Sequence, residues 1–265
     1  MPSSFPLIAL LALTLVACFA APAAGAIRTE KVEYTHGGVK LVGFAAWDDA
    51  VPGRRPGVLI VHEWWGLNDY VKRRAQDIAR LGYFAFAVDM YGEGTTVTSP
   101  EDAARLMTSV RGDVTLWRER AAAGLAAMNA RPEVDPALTG AMGYCFGGST
   151  ALELARAGAD LDAVVSFHGG LSTQSPAQPG TVRASILVCD GADDPFLTVD
   201  ERPNFIKEMQ KAKADYVFIG YSGAVHAFTN PDVDARNIDG ARYNKAADER
   251  SWRHMKDFFR EKFGR

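Results

Sequence analysis

Residues 139–155 read TGAMGYCFGGSTALELA, and this stretch decides the fold. A short apolar run leads into a glycine-rich turn, and a segment with helical spacing follows. Gly143, Gly147 and Gly148 surround Cys145 in a G-x-C-x-G-G pattern, which is typical of a nucleophile elbow with cysteine in place of serine. Such a strained turn needs glycines, because larger side chains would collide with the neighbouring strand and helix. The helix that begins there offers free backbone N–H groups and a positive dipole end to a thiolate.

The rest of the chain repeats this alternation of short apolar strands and helical segments. We predict strands at 32–34, 41–46, 57–61, 83–88, 139–144, 163–167, 185–188 and 216–219, the first two as an antiparallel pair. We predict helices at 70–80, in two stretches between 99 and 130, after Cys145, at 201–213 and at 241–263. This order predicts a doubly wound, mostly parallel sheet with helices on both faces and a ligand crevice at the carboxyl ends of the strands.

Composition and charge narrow the range of functions. The chain has 265 residues, of which 48% are hydrophobic and 23% are charged, which is typical of a globular protein. A net charge of −3 provides no basic surface that would attract nucleic acid. We see neither an internal repeat nor a linker, so we predict a single domain.

Residues 1–26 are predicted to be a signal peptide. The apolar run from Leu7 to Ala21 stops before Pro22, short of the roughly 20 residues that a membrane-spanning helix needs. Ala24-Gly25-Ala26 matches the A-x-A cleavage pattern. We therefore expect residues 27–265 to be exported to the periplasm or secreted, with no membrane span in the mature chain.

Two alternatives to this processing stay open. Leu15-Val16-Ala17-Cys18 resembles a bacterial lipobox, in which Cys18 would become the lipidated N-terminus of a lipoprotein. The first 27 residues also contain no Lys or Arg, which is atypical of a signal peptide and leaves an uncleaved N-terminal anchor as the second alternative.

The residues after two later strands complete the pattern of a catalytic triad. Asp193 and Asp194 follow the strand that contains Cys189, and His226 follows the strand after that. The chain order nucleophile, acid, histidine is that of a hydrolase triad. Cys145 is therefore predicted to be the nucleophile and His226 the general base, whereas Cys189 is typical of a small buried side chain.

Several motifs together resemble those of the dienelactone hydrolase (carboxymethylenebutenolidase) family. These are HEWWG at 62–66, DMY at 89–91, the elbow at Cys145, SFHGG at 166–170, GADDP at 191–195 and HAFTNP at 226–231. The resemblance covers nearly the whole chain after residue 26. It implies an α/β-hydrolase fold and hydrolysis of small carboxylic esters or lactones through a thioester on Cys145.

The resemblance also implies roles for individual residues. It assigns the triad acid to Asp194 rather than Asp193, because the family's aspartate lies three residues after the glycine. It implies that Glu63 modulates the activation of Cys145. The backbone N–H groups of Phe146 and Trp64 are expected to form the oxyanion hole.

Aromatic residues near these strand ends are candidates for the substrate pocket. We predict that Trp65, Tyr91 and Phe228 line it together with Trp64, although aromatic residues at strand ends are as often part of the core. His168 lies outside the triad order, and we interpret it as structural.

The members of this family that cleave dienelactone hold the substrate carboxylate with arginines, and this sequence has other residues at those positions. Gly92-Glu93 follows Tyr91, and Ala227-Phe228-Thr229-Asn230 follows His226. Glu93 would repel an anion. The sequence therefore predicts a neutral ester, lactone or thioester rather than dienelactone, with Arg73 and Arg236 as alternative sources of positive charge.

No cofactor or metal is predicted, because the chain contains no H-E-x-x-H, C-x-x-C, D-x-D-x-D-G or strand-linked G-x-G-x-x-G motif. The expected partner is a small-molecule ester or lactone, bound by a monomer. Two other functions stay open: acyl transfer from the same cysteine, and ligand binding by a catalytically silent domain.

Overall fold

Eight strands form one mixed sheet in the computed structural model, which describes residue 1 and residues 25–264. They are β1 (Ile27–His36), β2 (Val39–Asp48), β3 (Arg55–Val61), β4 (Phe84–Val88), β5 (Val134–Tyr144), β6 (Ala163–Phe167), β7 (Ser185–Gly191) and β8 (Tyr216–Tyr221). Their order is β1-β2-β4-β3-β5-β6-β7-β8. β1 pairs antiparallel with β2 and β2 with β4, while all other pairs are parallel. The predicted mostly parallel sheet is confirmed.

Helices cover both faces of this sheet, as predicted. They are α1 (Asp69–Arg80), α2 (Pro100–Arg111), α3 (Val114–Asn129), α4 (Phe146–Arg156), α5 (Glu201–Ala212) and α6 (Lys245–Phe263). Apolar side chains of α3, α4 and α5 form one buried core with the sheet. Those of α1 and α6 form a second core on the opposite face. The apolar face of each helix packs against the sheet, and this buried contact holds the helix in place.

Local sequence signals set the break between α2 and α3. The Ser99 side chain accepts the N–H of Asp102 at the start of α2, with Pro100 in its first turn. The Asp113 side chain accepts the N–H groups of Thr115 and Leu116. α3 therefore begins with its own cap, and the predicted interruption near Gly112 is confirmed.

Several strands are longer than predicted, β1 most of all at Ile27–His36 rather than 32–34, and two further boundaries differ for reasons that the structure shows. α6 begins at Lys245 rather than at 241, because the Asn244 side chain caps it and the preceding Ala241 pairs with His226. β5 begins at Val134 rather than at 139, because its first residues pair with β3 ahead of a register shift. The start of α6 thus combines a local cap with a contact to another loop, whereas the start of β5 results from strand pairing between segments far apart in the sequence.

The predicted signal peptide falls on residues 1–26, of which only residues 1, 25 and 26 are among those described. Cleavage after Ala26 and lipidation of Cys18 therefore stay predictions. In the part of the chain that is described, none of the helices has the length and apolar character to cross a bilayer.

A buried ion network holds α4 against its neighbours. Arg156 and Glu153, both in α4, have side chains that are 1% exposed and lie 3.0 Å apart, Nη1 to Oε1. Arg156 Nη2 also contacts Glu208 Oε2 of α5 at 2.9 Å, and Arg118 Nη2 of α3 contacts Glu153 Oε2 at 2.7 Å. Because α4 directly follows Cys145, this network also fixes the helix that begins at the elbow.

We predict that Arg156→Met lowers the free energy of unfolding by about 3 kcal/mol, because it leaves the buried carboxylates without one of their two cations. Urea denaturation followed by circular dichroism measures the change. Arg105→Met is the control, because Arg105 is 67% exposed and, among the described residues, forms an ion pair with Asp102 alone. We expect a change within about 0.5 kcal/mol. An equal effect of the two substitutions would contradict a structural role for the network.

Candidate active site

Cys145 joins β5 to α4 with a positive φ, a backbone conformation that is strained for a residue other than glycine. Its φ is 55° and its ψ is −117°. A Cβ on Gly143 would lie 2.0 Å from the carbonyl oxygen of Gly147, and a Cβ on Gly147 would lie 2.1 Å from that of Val61. Side chains at these positions are excluded, as the sequence pattern predicted.

Asp194 and His226 meet at the carboxyl ends of β7 and β8. His226 Nδ1 lies 2.7 Å from Asp194 Oδ2, and Asp194 is buried. Asp194 Oδ1 accepts the backbone N–H of Phe196 at 2.9 Å, which fixes the carboxylate. Asp193 instead points to solvent and accepts the N–H of Gly223. Of the two candidates, Asp194 therefore contacts His226.

Cys145 contacts the other side of the His226 ring and favours the protonated form of this imidazole. Burial lowers the pKa of His226, but the negative charge of Cys145 and hydrogen bonds to Asp194 and Cys145 outweigh burial and raise this pKa to about 10. An imidazole with such a pKa is protonated at neutral pH, so it can pair with a thiolate. The structure thus brings Cys145, His226 and Asp194 together.

Glu63 is a buried carboxyl group at the same site. It follows β3 and is 3% exposed, and its Oε2 accepts a hydrogen bond from Asn230 Nδ2 at 2.7 Å. Burial raises the pKa of Glu63 to about 7, although Asn230 and the positive charge of His226 counteract part of this effect. Glu63 can therefore gain or lose a proton near neutral pH.

The two predicted oxyanion-hole donors are free to bind a ligand. Phe146 is the first residue of α4, so its backbone N–H has no partner within the helix. Within the described residues, neither this N–H nor that of Trp64 has an acceptor in the protein. Both residues line the same cavity as Cys145.

This active-site cavity has a volume of about 300 Å³ and a mostly apolar wall. Trp64 and Trp65 form one side, and Phe196 and Leu197 extend from the loop after β7. The polar or charged groups in the wall are Glu63, Arg111, Cys145, Ser149, Ser172, Glu201 and His226. Such a cavity accommodates a small, largely apolar molecule beside Cys145.

Of the aromatic residues predicted to line the pocket, Trp65 lies in the cavity wall, whereas Tyr91 and Phe228 do not. Phe228 is fully buried in the core under α1 and α6, where its ring meets the edge of His168. Tyr91 donates its hydroxyl hydrogen to the carbonyl oxygen of Trp64 at 2.9 Å and stacks on Phe146. Phe228 is therefore part of the core, and Tyr91 contacts Trp64 and Phe146, two residues of the cavity wall.

His168 contacts the backbone of the elbow, a role beyond the structural one that the sequence suggested. It is buried, and its Nδ1 accepts the N–H of Cys145 at 3.1 Å. Because that nitrogen accepts, the proton is on Nε2, which donates to Thr229 Oγ1 at 2.8 Å. The sequence does contain a signal for this contact. His168 directly follows β6, and β6 pairs with β5, the strand that leads to Cys145.

Neither arginine proposed from the sequence lines the cavity. Arg73 pairs with Asp232. Arg236 stacks 3.9 Å from the ring centre of Trp65 and donates to the carbonyl oxygen of Thr98. Arg111, at the end of α2, does line it. Sequence reasoning missed Arg111 because it lies outside every motif.

Comparisons with known proteins agree with this architecture. A model of the dienelactone hydrolase family matches residues 41–263. Protein usf of Aquifex pyrophilus is 31% identical over 215 residues, which are 76% of this chain and 87% of that protein.

Solved structures give the same result. The crystal structure of a dienelactone hydrolase-like promiscuous phosphotriesterase from metagenomic libraries is 41% identical, has a TM-score of 0.88, and is matched over 91% of this chain and 100% of that one. A dienelactone hydrolase from Anabaena variabilis, 18% identical with a TM-score of 0.65 over 89% of this chain and 99% of that one, shares the fold. The predicted α/β-hydrolase fold is confirmed. The chain therefore belongs to the dienelactone hydrolase family and is a hydrolase of the class that acts on carboxylic esters and lactones.

Proposed function

We propose that this protein cleaves small carboxylic esters or lactones with a Cys145–His226–Asp194 triad. The observation that carries the proposal is the position of His226, which contacts Cys145 on one side and lies 2.7 Å from Asp194 Oδ2 on the other. A buried imidazole between a thiol and a carboxylate is the arrangement that activates a nucleophile and returns its proton.

In the proposed reaction the Cys145 thiolate attacks the carbonyl carbon of the substrate. The carbonyl oxygen becomes an oxyanion, to which the free N–H groups of Phe146 and Trp64 donate. When the ester C–O bond breaks, the protonated His226 gives its proton to the leaving alkoxide, and a thioester forms. His226 then removes a proton from water, which attacks the thioester and releases the acid and Cys145. Asp194 keeps the proton on His226 Nδ1 throughout.

Glu63 has a modulating role in this proposal. Its carboxyl group is buried in the same cavity wall as Cys145, and its pKa of about 7 places its proton exchange near neutral pH. A charge that appears or disappears so close to a thiolate changes the reactivity of the thiolate. The hydrogen bond from Asn230 favours the charged form of Glu63.

A second candidate activity is the cleavage of neutral phosphotriesters. The 41% identical structural relative is named as a promiscuous phosphotriesterase. The largely apolar cavity of about 300 Å³ also fits an uncharged triester. Because the same cysteine would act as nucleophile, one set of variants tests both activities.

Residues 27–265 are the proposed mature protein, exported to the periplasm or secreted as a monomer. Mass spectrometry of the protein purified from its native host should find an N-terminus at Ile27. A lipid-modified start at Cys18 would support the lipoprotein alternative, and an intact Met1 would contradict export through a cleaved signal.

We predict that Cys145→Ala and His226→Ala each lower kcat/KM for p-nitrophenyl acetate by about 10³-fold or more, since triad residues act as a unit. Cys189→Ala is the matched control, because Cys189 is fully buried in β7; it should retain activity. Release of p-nitrophenol at 400 nm measures all four proteins, and diethyl p-nitrophenyl phosphate tests the second activity in the same assay.

Other outcomes of this assay identify the remaining functions. Equal rates in all variants would contradict the triad. A stable acetyl group on Cys145 that added alcohols or amines discharge would support acyl transfer. Retention of the acetyl group without any turnover would support a silent binding domain.

We further predict that the pH profile of kcat/KM contains an ionisation near pH 7 that Glu63→Gln removes, because that variant cannot titrate. Asn230→Ala should move the same ionisation to higher pH, since it removes the hydrogen bond that lowers the pKa of Glu63. Steady-state rates between pH 5 and 9 test both changes. An unaltered profile in Glu63→Gln would show that Glu63 does not influence the reaction.

A further inference from the structure

A second cavity adjoins the active-site cavity at Arg111. This second cavity has a volume of about 280 Å³ and is lined by Arg111, Val114, Trp117, Ser172, Thr173 and Gln174. Arg111 and Ser172 belong to the walls of both cavities. A ligand that reaches from Cys145 toward the second cavity therefore passes the guanidinium group of Arg111.

The Arg111 side chain has donors to offer such a ligand. Its guanidinium lies 5.6 Å from the ring centre of Trp117 and close to Gly170, which has no side chain to cover it. Across the described residues, no carboxylate lies within 4.0 Å of this arginine and no protein acceptor receives its N–H groups. By contrast, Arg118 and Arg156 each bind a carboxylate. The stack on Trp117 orients the guanidinium without neutralising it.

The other charged groups in the active-site cavity have partners. Glu201 Oε2 accepts the N–H groups of Leu171 and Ser172, and its Oε1 accepts the N–H of Thr198. Glu63 is bound to Asn230, and its pKa of about 7 leaves it partly neutral. Cys145 and His226 pair with each other. Arg111 is thus the charged group in the described wall that has neither a hydrogen bond nor an ion pair with another protein group.

We propose that Arg111 binds a carboxylate of the substrate at the junction of the two cavities, away from the bond that is cleaved. The inference rests on the proposed function, since it concerns the substrate of the same site. A guanidinium binds a carboxylate through two parallel hydrogen bonds, which fixes the ligand as well as attracting it. The preferred substrate class is then an ester or lactone that carries a carboxylate, rather than the neutral molecule that the sequence predicts.

The position of Arg111 explains why a motif search does not find this site. Arg111 is the last residue of α2, which precedes the elbow in the sequence by more than thirty residues. Neither Glu93 after Tyr91 nor the segment after His226 contributes a cation to the cavity wall. The charge is supplied instead by a helix that packs beside α3 and its Trp117.

Paired esters of equal chain length test the proposal. The p-nitrophenyl half esters of succinate, glutarate and adipate carry the carboxylate, and p-nitrophenyl butanoate, pentanoate and hexanoate are their neutral counterparts. We expect Arg111→Gln to lower the ratio of kcat/KM between anionic and neutral esters by about tenfold or more, through a higher KM for the half esters. The effect should be largest at one chain length. 4-Acetoxybenzoate and its methyl ester cover the orientation in which the leaving group carries the carboxylate.

Arg105→Gln is the matched control, because it removes the same charge from the exposed face of the same helix. It should leave the ratio unchanged, and Arg111→Lys should restore only part of it. Taking the ratio within each variant cancels any loss of folded protein. Equal ratios in the wild type and Arg111→Gln in both orientations, or an equal fall in Arg105→Gln, would overturn the proposal. Failure of the wild type to cleave any of these esters would instead overturn the proposed function.

Discussion

Cys145 has a φ of 55° at the point where β5 gives way to α4, a conformation that costs a non-glycine residue about 1–3 kcal/mol. The surrounding structure maintains it. The N–H of Cys145 is held by the carbonyl oxygen of Phe167 and by Nδ1 of His168. Gly143 and Gly147 allow the turn to pack directly on its own backbone and on β3. The strained turn presents the sulfur at the mouth of the sheet, and every other functional group is arranged around it.

The loop after β8 supplies most of that arrangement. His226 contacts the sulfur, and Phe228 fills the core behind the site. Thr229 accepts a hydrogen bond from His168, and Asn230 donates one to Glu63. Five consecutive residues thus connect the nucleophile, the elbow and the buried carboxyl group. A displacement of this loop would affect the orientation and the charge of the site together, because the same short backbone segment controls both.

Burial determines the electrostatics of the cavity. Desolvation raises the pKa of Glu63 to about 7, whereas the charge of Cys145 and the hydrogen bonds to Asp194 and Cys145 keep His226 protonated. The two groups differ although both are buried, because the hydrogen-bond partner of Glu63 is a neutral amide, whereas His226 pairs with the Asp194 carboxylate. Arg111, whose guanidinium lies 5.6 Å from the ring centre of Trp117, adds to the cavity wall a positive charge that has no ion pair among the described residues.

The sequence alone determined the α/β architecture, the elbow and the identity of the residues at the strand ends. These features follow from local rules: the spacing of apolar residues, the caps at Ser99 and Asp113, and the glycines that a tight turn requires. It could not determine the direction in which a side chain faces after a strand ends. Tyr91 and Phe228 pack against the core, whereas Arg111 reaches the cavity from α2. The packing of distant elements decides which aromatic rings are buried and which charged group stays without a protein partner. The start of α6 depended in the same way on the contact between Ala241 and His226, which exists only once the chain has folded.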